Sequence, residues 1–129
     1  MLKNSPFYAG IAVDDVTRAK AFYGDTLGVF GVIEIGNGLL ALQAANGYSV
    51  LLYPKPGHVP AAHTVLNFPV DDIDATVDEL AGRGVQFERY DEFPMDEKGI
   101  MRGREAGRGP DIAWFKDPSG NVLSVLQES

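Results

Sequence analysis

The chain has 129 residues, 45% of them hydrophobic, with 18 acidic side chains against 11 basic ones and a formal charge of −7. That length suits one domain, or two small modules sharing a core, and the negative charge argues against nucleic acid and anionic membranes as partners. There is no cysteine, which excludes disulfides, thiolate metal sites and cysteine nucleophiles. No run approaches the roughly 18 apolar residues of a membrane span, and "MLKNSPFYAG" lacks the apolar stretch of a signal peptide. A cytoplasmic protein is the expectation.

The first strand is expected at "FYAGIAVDD", where Ile11 and Val13 alternate with Tyr8, Gly10 and Ala12. Asp15 is placed to cap a helix over "VTRAKAFYGDTLG", with Val16, Ala19, Phe22 and Tyr23 at helical spacing and Gly28 as its stop. Three apolar runs follow, "VFGVIEI", "LLALQA" and "YSVLLYP", divided by the hairpin signals "GNG" and "ANG". The prolines of "KPGHVPAAH" mark a linker. Beyond it the plan repeats. "VLNFPVDDIDATVDELAGRGV" reads as strand, capped helix and glycine stop, with Ile73, Val77 and Leu80 as the apolar stripe. Strands are expected at "VQFERY", "DIAWF" and "NVLSVLQ".

Pattern and spacing both recur, so the chain reads as an internal duplication. The fold class expected is α+β: two βαβββ modules forming a curved mixed sheet. Module one spans about residues 6–54, a linker about 55–62, and module two about 63–128.

Three segments carry a resemblance to a known family: "VDDVTRAKAFYGDTLGV", "VDDIDATVDEL" and "AWFKDPSGNVLSVLQ". With Phe22-Tyr23 before Leu27-Gly28, and Asp117-Pro118-Ser119-Gly120-Asn121, the chain resembles the vicinal oxygen chelate superfamily. That superfamily includes glyoxalase I, bleomycin-resistance proteins and extradiol dioxygenases. The resemblance implies a sheet cup open to solvent on one side, with helices on the other, and a homodimer. Metal-using members place His, Glu or Gln at four inward positions. Here those positions fall at Tyr8, Leu52, Val65 and Ser124, none of which offers the carboxylate or imidazole a divalent metal needs. His58 and His63 read as linker and strand-edge residues. No metal and no cofactor are expected.

The cup is then expected to be an apolar concavity with a few polar points, the usual character of a small-molecule site. The candidate ligand-binding residues are Tyr8, Val50, Leu52, Val65, Asn67, Trp114, Val122 and Ser124, with Leu126 beside them. The sequence leaves open which face of its strand Trp114 occupies, since it alternates with Ala113 and Phe115 and shares a side with Ile112. Residues 92–109 form a long loop holding Phe93, Met95, Ile100 and Met101, which suits a lid. Arg102, Arg104 and Arg108 in that loop offer themselves to an anion or to a solvated edge. Tyr8 and Glu34 are a conceivable acid–base pair if Glu34 turns inward. The function expected is metal-independent binding of a hydrophobic or aromatic small molecule, with no nucleic acid or membrane partner. The alternative is an enzyme of the same fold (lyase, isomerase or dioxygenase) with a non-standard or metal-free site.

Overall fold

The computed structural model describes all 129 residues, and the chain divides into two compact units, Met1–Val59 and Pro60–Ser129. Each carries one helix and one mixed four-stranded sheet.

In the first unit, β1 (Ala9–Val13) leads into α1 (Val16–Ala21), which continues as a π-helical turn over Phe22–Thr26. Asp15 is extended and its carboxylate accepts the Arg18 backbone N–H at 3.0 Å, satisfying one of the donors a helix start leaves open. Then come β2 (Gly31–Gly36), β3 (Leu39–Gln43) and β4 (Ser49–Pro54). Asn37 and Gly38 both have positive φ between β2 and β3, the geometry that matches the twist of a tight hairpin. The sheet order is β1-β4-β3-β2, with β1 and β4 parallel and the other pairs antiparallel.

Register fixes the two faces of this sheet. Ile11, Leu52 and Leu40 stand side by side and are buried, as are Val13 and Leu42. α1 packs against β3 and β4 and buries Ala19 and Tyr23, so these residues form the helix-facing core. The opposite row runs Gly10, Leu51, Ala41, Ile33, with Tyr53 beside Ala12. Val50 and Leu52 therefore lie on the helix side, the reverse of the face expected from sequence. The run Val50-Leu51-Leu52-Tyr53 is apolar on both faces, so alternation carries no information about which one meets the helix.

In the second unit, β5 (Thr64–Pro69) precedes α2 (Ile73–Gly82), capped by the Asp72 carboxylate on the Ala75 N–H at 3.0 Å. The Gln127 side-chain carbonyl accepts the Ile73 N–H at 3.0 Å, tying the helix start to the last strand. The remaining strands are β6 (Met101–Arg102), β7 (Asp111–Lys116) and β8 (Val122–Gln127), in the order β5-β8-β7-β6. Ile73, Val77 and Leu80 of α2 are buried, together with Ala113, Phe115, Leu123 and Val125, where α2 packs on β7 and β8.

The expected strand "VQFERY" makes only one bridge, Phe87 to Phe115, and the second strand of this unit is instead β6, inside the expected loop. The cause is local. The Asp96 carboxylate accepts the Lys98 and Ile100 N–H groups, both at 2.9 Å, and this tight turn brings Met101 alongside Ile112 while Ile100 is fully buried. The turn before β8 is built the same way. Asp117 accepts the Ser119 and Asn121 N–H groups and the Asn121 amide, each at 2.9 Å. Gly120 has φ +84°, and a Cβ there would stand 3.0 Å from Pro60, so the position suits glycine alone.

Candidate ligand site on the open face of the second sheet

Alternation along β7 sends Ala113 and Phe115 into the helix-facing core and Ile112, Trp114 and Lys116 to the other side. On that open face Trp114 stands beside Ser124, and Ser124 beside Asn67. The indole Nε1–H donates to Thr64 Oγ1 at 3.0 Å. Thr64 belongs to β5, and β8 lies between β5 and β7, so the indole reaches over β8 to make the bond. Ser124 is 0% exposed although it faces the open side, and Val122 is buried too. A serine at this place leaves room for the ring to cross. Its hydroxyl donates to Asn67 Oδ1 at 2.6 Å, leaving the exposed Asn67 amide N–H₂ directed to the open side.

Two further rings complete an aromatic cluster. Phe93 stacks on Trp114 with centroids 5.5 Å apart and planes 20° from parallel. Tyr90 meets Trp114 edge-on at 5.5 Å and Phe93 at 6.1 Å. The Glu88 N–H donates to the Trp114 carbonyl at 2.7 Å, which sets the chain leading to Tyr90 alongside β7. Burial raises the Tyr90 phenol above its ordinary pKa, and the carboxylates of Glu88 and Glu92 add to that rise. The phenol therefore stays neutral and hydrogen-bonding.

The loop after the cluster is held down on the helix side. Arg102 donates to both oxygens of Asp74 on α2, at 2.7 and 2.9 Å, and to Asp96 at 3.0 Å. Lys98 pairs with Asp78 at 3.0 Å, and the Arg89 guanidinium donates to the carbonyls of Asp96 and Glu97. The Arg102 hydrogen bond holds the Asp74 carboxyl down at about 2. Burial pushes Asp96 upward, but the Ile100 N–H, Arg102 and the Lys98 N–H outweigh it and its pKa is lowered. Arg102 is thus committed to carboxylates, and Arg104 lies 3.5 Å from buried Asp111, so neither is presented to an outside anion.

The sequence-derived site residues separate accordingly. Asn67, Trp114, Val122 and Ser124 are brought together on one face, and Val65 sits at the register shift between Thr64 and Leu66. Tyr8 precedes β1 in the first unit, 67% exposed, in phase with Gly10 and Ala12 on that sheet's open face. Val50 and Leu52 belong to the helix-packed face, where Leu52 is 0% exposed. Glu34 shares that side through the row Glu34-Leu40-Leu52 and pairs with Lys20 of α1 at 3.0 Å, so it and Tyr8 occupy opposite faces of their sheet. Thr64 and Tyr90 were not among the sequence-derived candidates. The aromatic spacing Tyr90-x-x-Phe93 at the mouth of the loop is the signal that points to the second of them.

A model of the glyoxalase/bleomycin resistance protein/dioxygenase superfamily matches residues 6–125. The chain belongs to that superfamily. Solved structures similar to it span essentially its full length. A glyoxalase family protein from Bacillus anthracis is 19% identical, with complete coverage of both chains and a TM-score of 0.69. TnmS3, an antibiotic binding protein from Streptomyces sp. CB03234, is 25% identical over 98% of both chains, with a TM-score of 0.67. The fosfomycin resistance protein FosX from Listeria monocytogenes, complexed with Mn(II), is 12% identical over 97% of this chain and 91% of that one, with a TM-score of 0.68. A search of the curated proteins finds no match.

A superfamily-type metal does not fit the residues present. No group of three His, Cys, Asp or Glu side chains is placed to hold an ion. The four positions implied by the resemblance carry tyrosine, leucine, valine and serine, of which Leu52 is in the core and Ser124 lies under an indole.

Proposed function

We propose that this protein is a metal-independent small-molecule-binding member of its superfamily, taking a hydrophobic or aromatic ligand on the open face of the second sheet. The observation that carries the reading is the Trp114–Thr64–Ser124–Asn67 constellation. It is an indole locked in orientation by a hydrogen bond, with aromatic neighbours and an outward amide beside it. A flat ligand burying roughly 150 Å² of apolar surface gains about 4 kcal/mol before the costs of ordering. The Asn67 amide supplies the orienting donor. Similarity to an antibiotic binding protein at 25% identity supports the same reading.

Charge narrows the ligand further. Asp91 and Glu92 lie between the two loop rings, Tyr90 and Phe93, and are exposed, and the whole chain carries −7. A planar aromatic cation is attracted over a distance that salt shortens. The protein acts in this proposal as a cytoplasmic homodimer.

Native mass spectrometry after dialysis against EDTA, with proflavine as a planar cationic probe, tests the proposal. The expected spectrum shows one dye per chain, no metal adduct and a dimer mass. One tightly held Mn, Ni, Zn or Fe ion per chain, or no dye adduct, contradicts it.

A further inference from the structure

The face of Trp114 that a flat ligand would use is already covered by a ring of the protein itself. Phe93 lies nearly parallel to the indole, at 20°, whereas Tyr90 meets Trp114 at 70° and Phe93 at 89°. The two partners are held very differently. Trp114 is in the middle of β7 with its N–H fixed to Thr64. Phe93 is 40% exposed, and residues 91–94 around it are exposed as well. Its backbone is held by a single turn bond, from the Phe93 N–H to the Tyr90 carbonyl at 3.1 Å.

The loop is firm on both sides of this short stretch. Before it, Glu88 is bonded to the Trp114 carbonyl at 2.7 Å. After it, Asp96 is gripped by Arg102 and by the N–H groups of Lys98 and Ile100, and Arg89 clamps the Asp96 and Glu97 carbonyls. Between these two anchored stretches lie residues 90–95, a span that carries the stacking ring of Phe93.

We propose that Phe93 is an intrinsic occupant of the Trp114 platform, and that a planar aromatic ligand binds by displacing it. This rests on the reading of the open face as the ligand site and adds its regulation. Residues 96–102 stay pinned to α2 as the fixed end of the hinge, so the lid is the 90–95 segment rather than the whole of 92–109. Displacement sets one aromatic stack against another, so Phe93 lowers affinity while keeping the indole covered when no ligand is present. Opening must precede stacking, which limits the association rate at high ligand concentration.

The test is stopped-flow and equilibrium titration of proflavine, followed by quenching of Trp114, the only tryptophan, in the intact protein and in Phe93→Ala and Phe93→Leu. Removing the ring is expected to tighten binding about three- to tenfold, the range of one aromatic pair. The observed association rate is expected to level off with dye concentration in the parent and to stay linear in Phe93→Ala. Phe93→Leu, which keeps an apolar side chain without a flat ring, is expected to fall between them. Weaker binding in Phe93→Ala makes Phe93 a wall of the site and overturns displacement alone. No binding by the parent or either variant, with unchanged circular dichroism, overturns the binding site itself and displacement with it.

Discussion

Trp114 and Thr64 are joined across an intervening strand: the indole N–H donates to the threonine hydroxyl at 3.0 Å while β8 runs beneath. This bond ties down the N–H edge of the largest side chain on the open face, and the proposed site is built on it. Thr64→Val keeps the shape and removes the acceptor. The expected loss is about 1 kcal/mol of stability, the net worth of a part-buried hydrogen bond, read from urea unfolding. Trp114 emission is expected to broaden and shift to longer wavelength. An unchanged spectrum would mean that packing alone holds the ring.

Ser124 tests the same arrangement from below. It is fully buried and its hydroxyl is spent on Asn67. Ser124→Leu is expected to lift the indole from its seat, costing about 1–3 kcal/mol through overpacking and abolishing the Trp114–Thr64 bond. Ser124→Ala is expected to cost about 1 kcal/mol and to leave Trp114 emission unaltered. Equal spectra for both variants would contradict the crossing of β8 by the ring.

The two faces of β4 make a third test. Leu52 is 0% exposed and Tyr53 is 36% exposed. Leu52→Ala is expected to lose about 2–5 kcal/mol, and Tyr53→Ala no more than about 1 kcal/mol. Thermal or urea unfolding separates them, and the reverse order would restore the face expected from sequence.

That reversal shows what the sequence held and what it did not. The duplicated β-α-β-β-β plan was legible because its signals are local: Asp15 and Asp72 before apolar periodicity, Gly28 and Gly84 after it, Asn-Gly between strands. The face of β8 was legible too, since Leu123 and Val125 do pack toward α2. The face of β4 was not, because all four central residues are apolar. Strand β6 was missed because it has two residues and forms only through the Asp96 turn, a side-chain-to-backbone device with no periodicity. The Phe93–Trp114 stack was missed because it joins residues far apart in sequence, while each alone reads as core or loop.

The clamp on the helix side gives a pH dependence. Arg102 holds the Asp74 carboxyl at about 2 against an ordinary 3.8. A depressed carboxyl contributes its stabilisation in full above the unfolded value and loses it as pH falls through the folded one. Stability is therefore expected to be level in this respect above about pH 4, and to decline from there toward pH 2. Asp74→Asn is expected to be less stable than the parent at pH 6 and to flatten that decline, measured by urea midpoints at a series of pH values. An identical slope in parent and variant would show the Asp74–Arg102 pair to be inconsequential.

The most direct measurement is the binding isotherm of proflavine in EDTA for the parent and for Trp114→Ala, with circular dichroism confirming that both are folded. One saturable site per chain is expected in the metal-free parent, with at least about tenfold weaker binding without the indole, in line with the loss of a buried aromatic anchor. Binding that appears only after a divalent metal is added, or that is indifferent to Trp114, would contradict the proposed function.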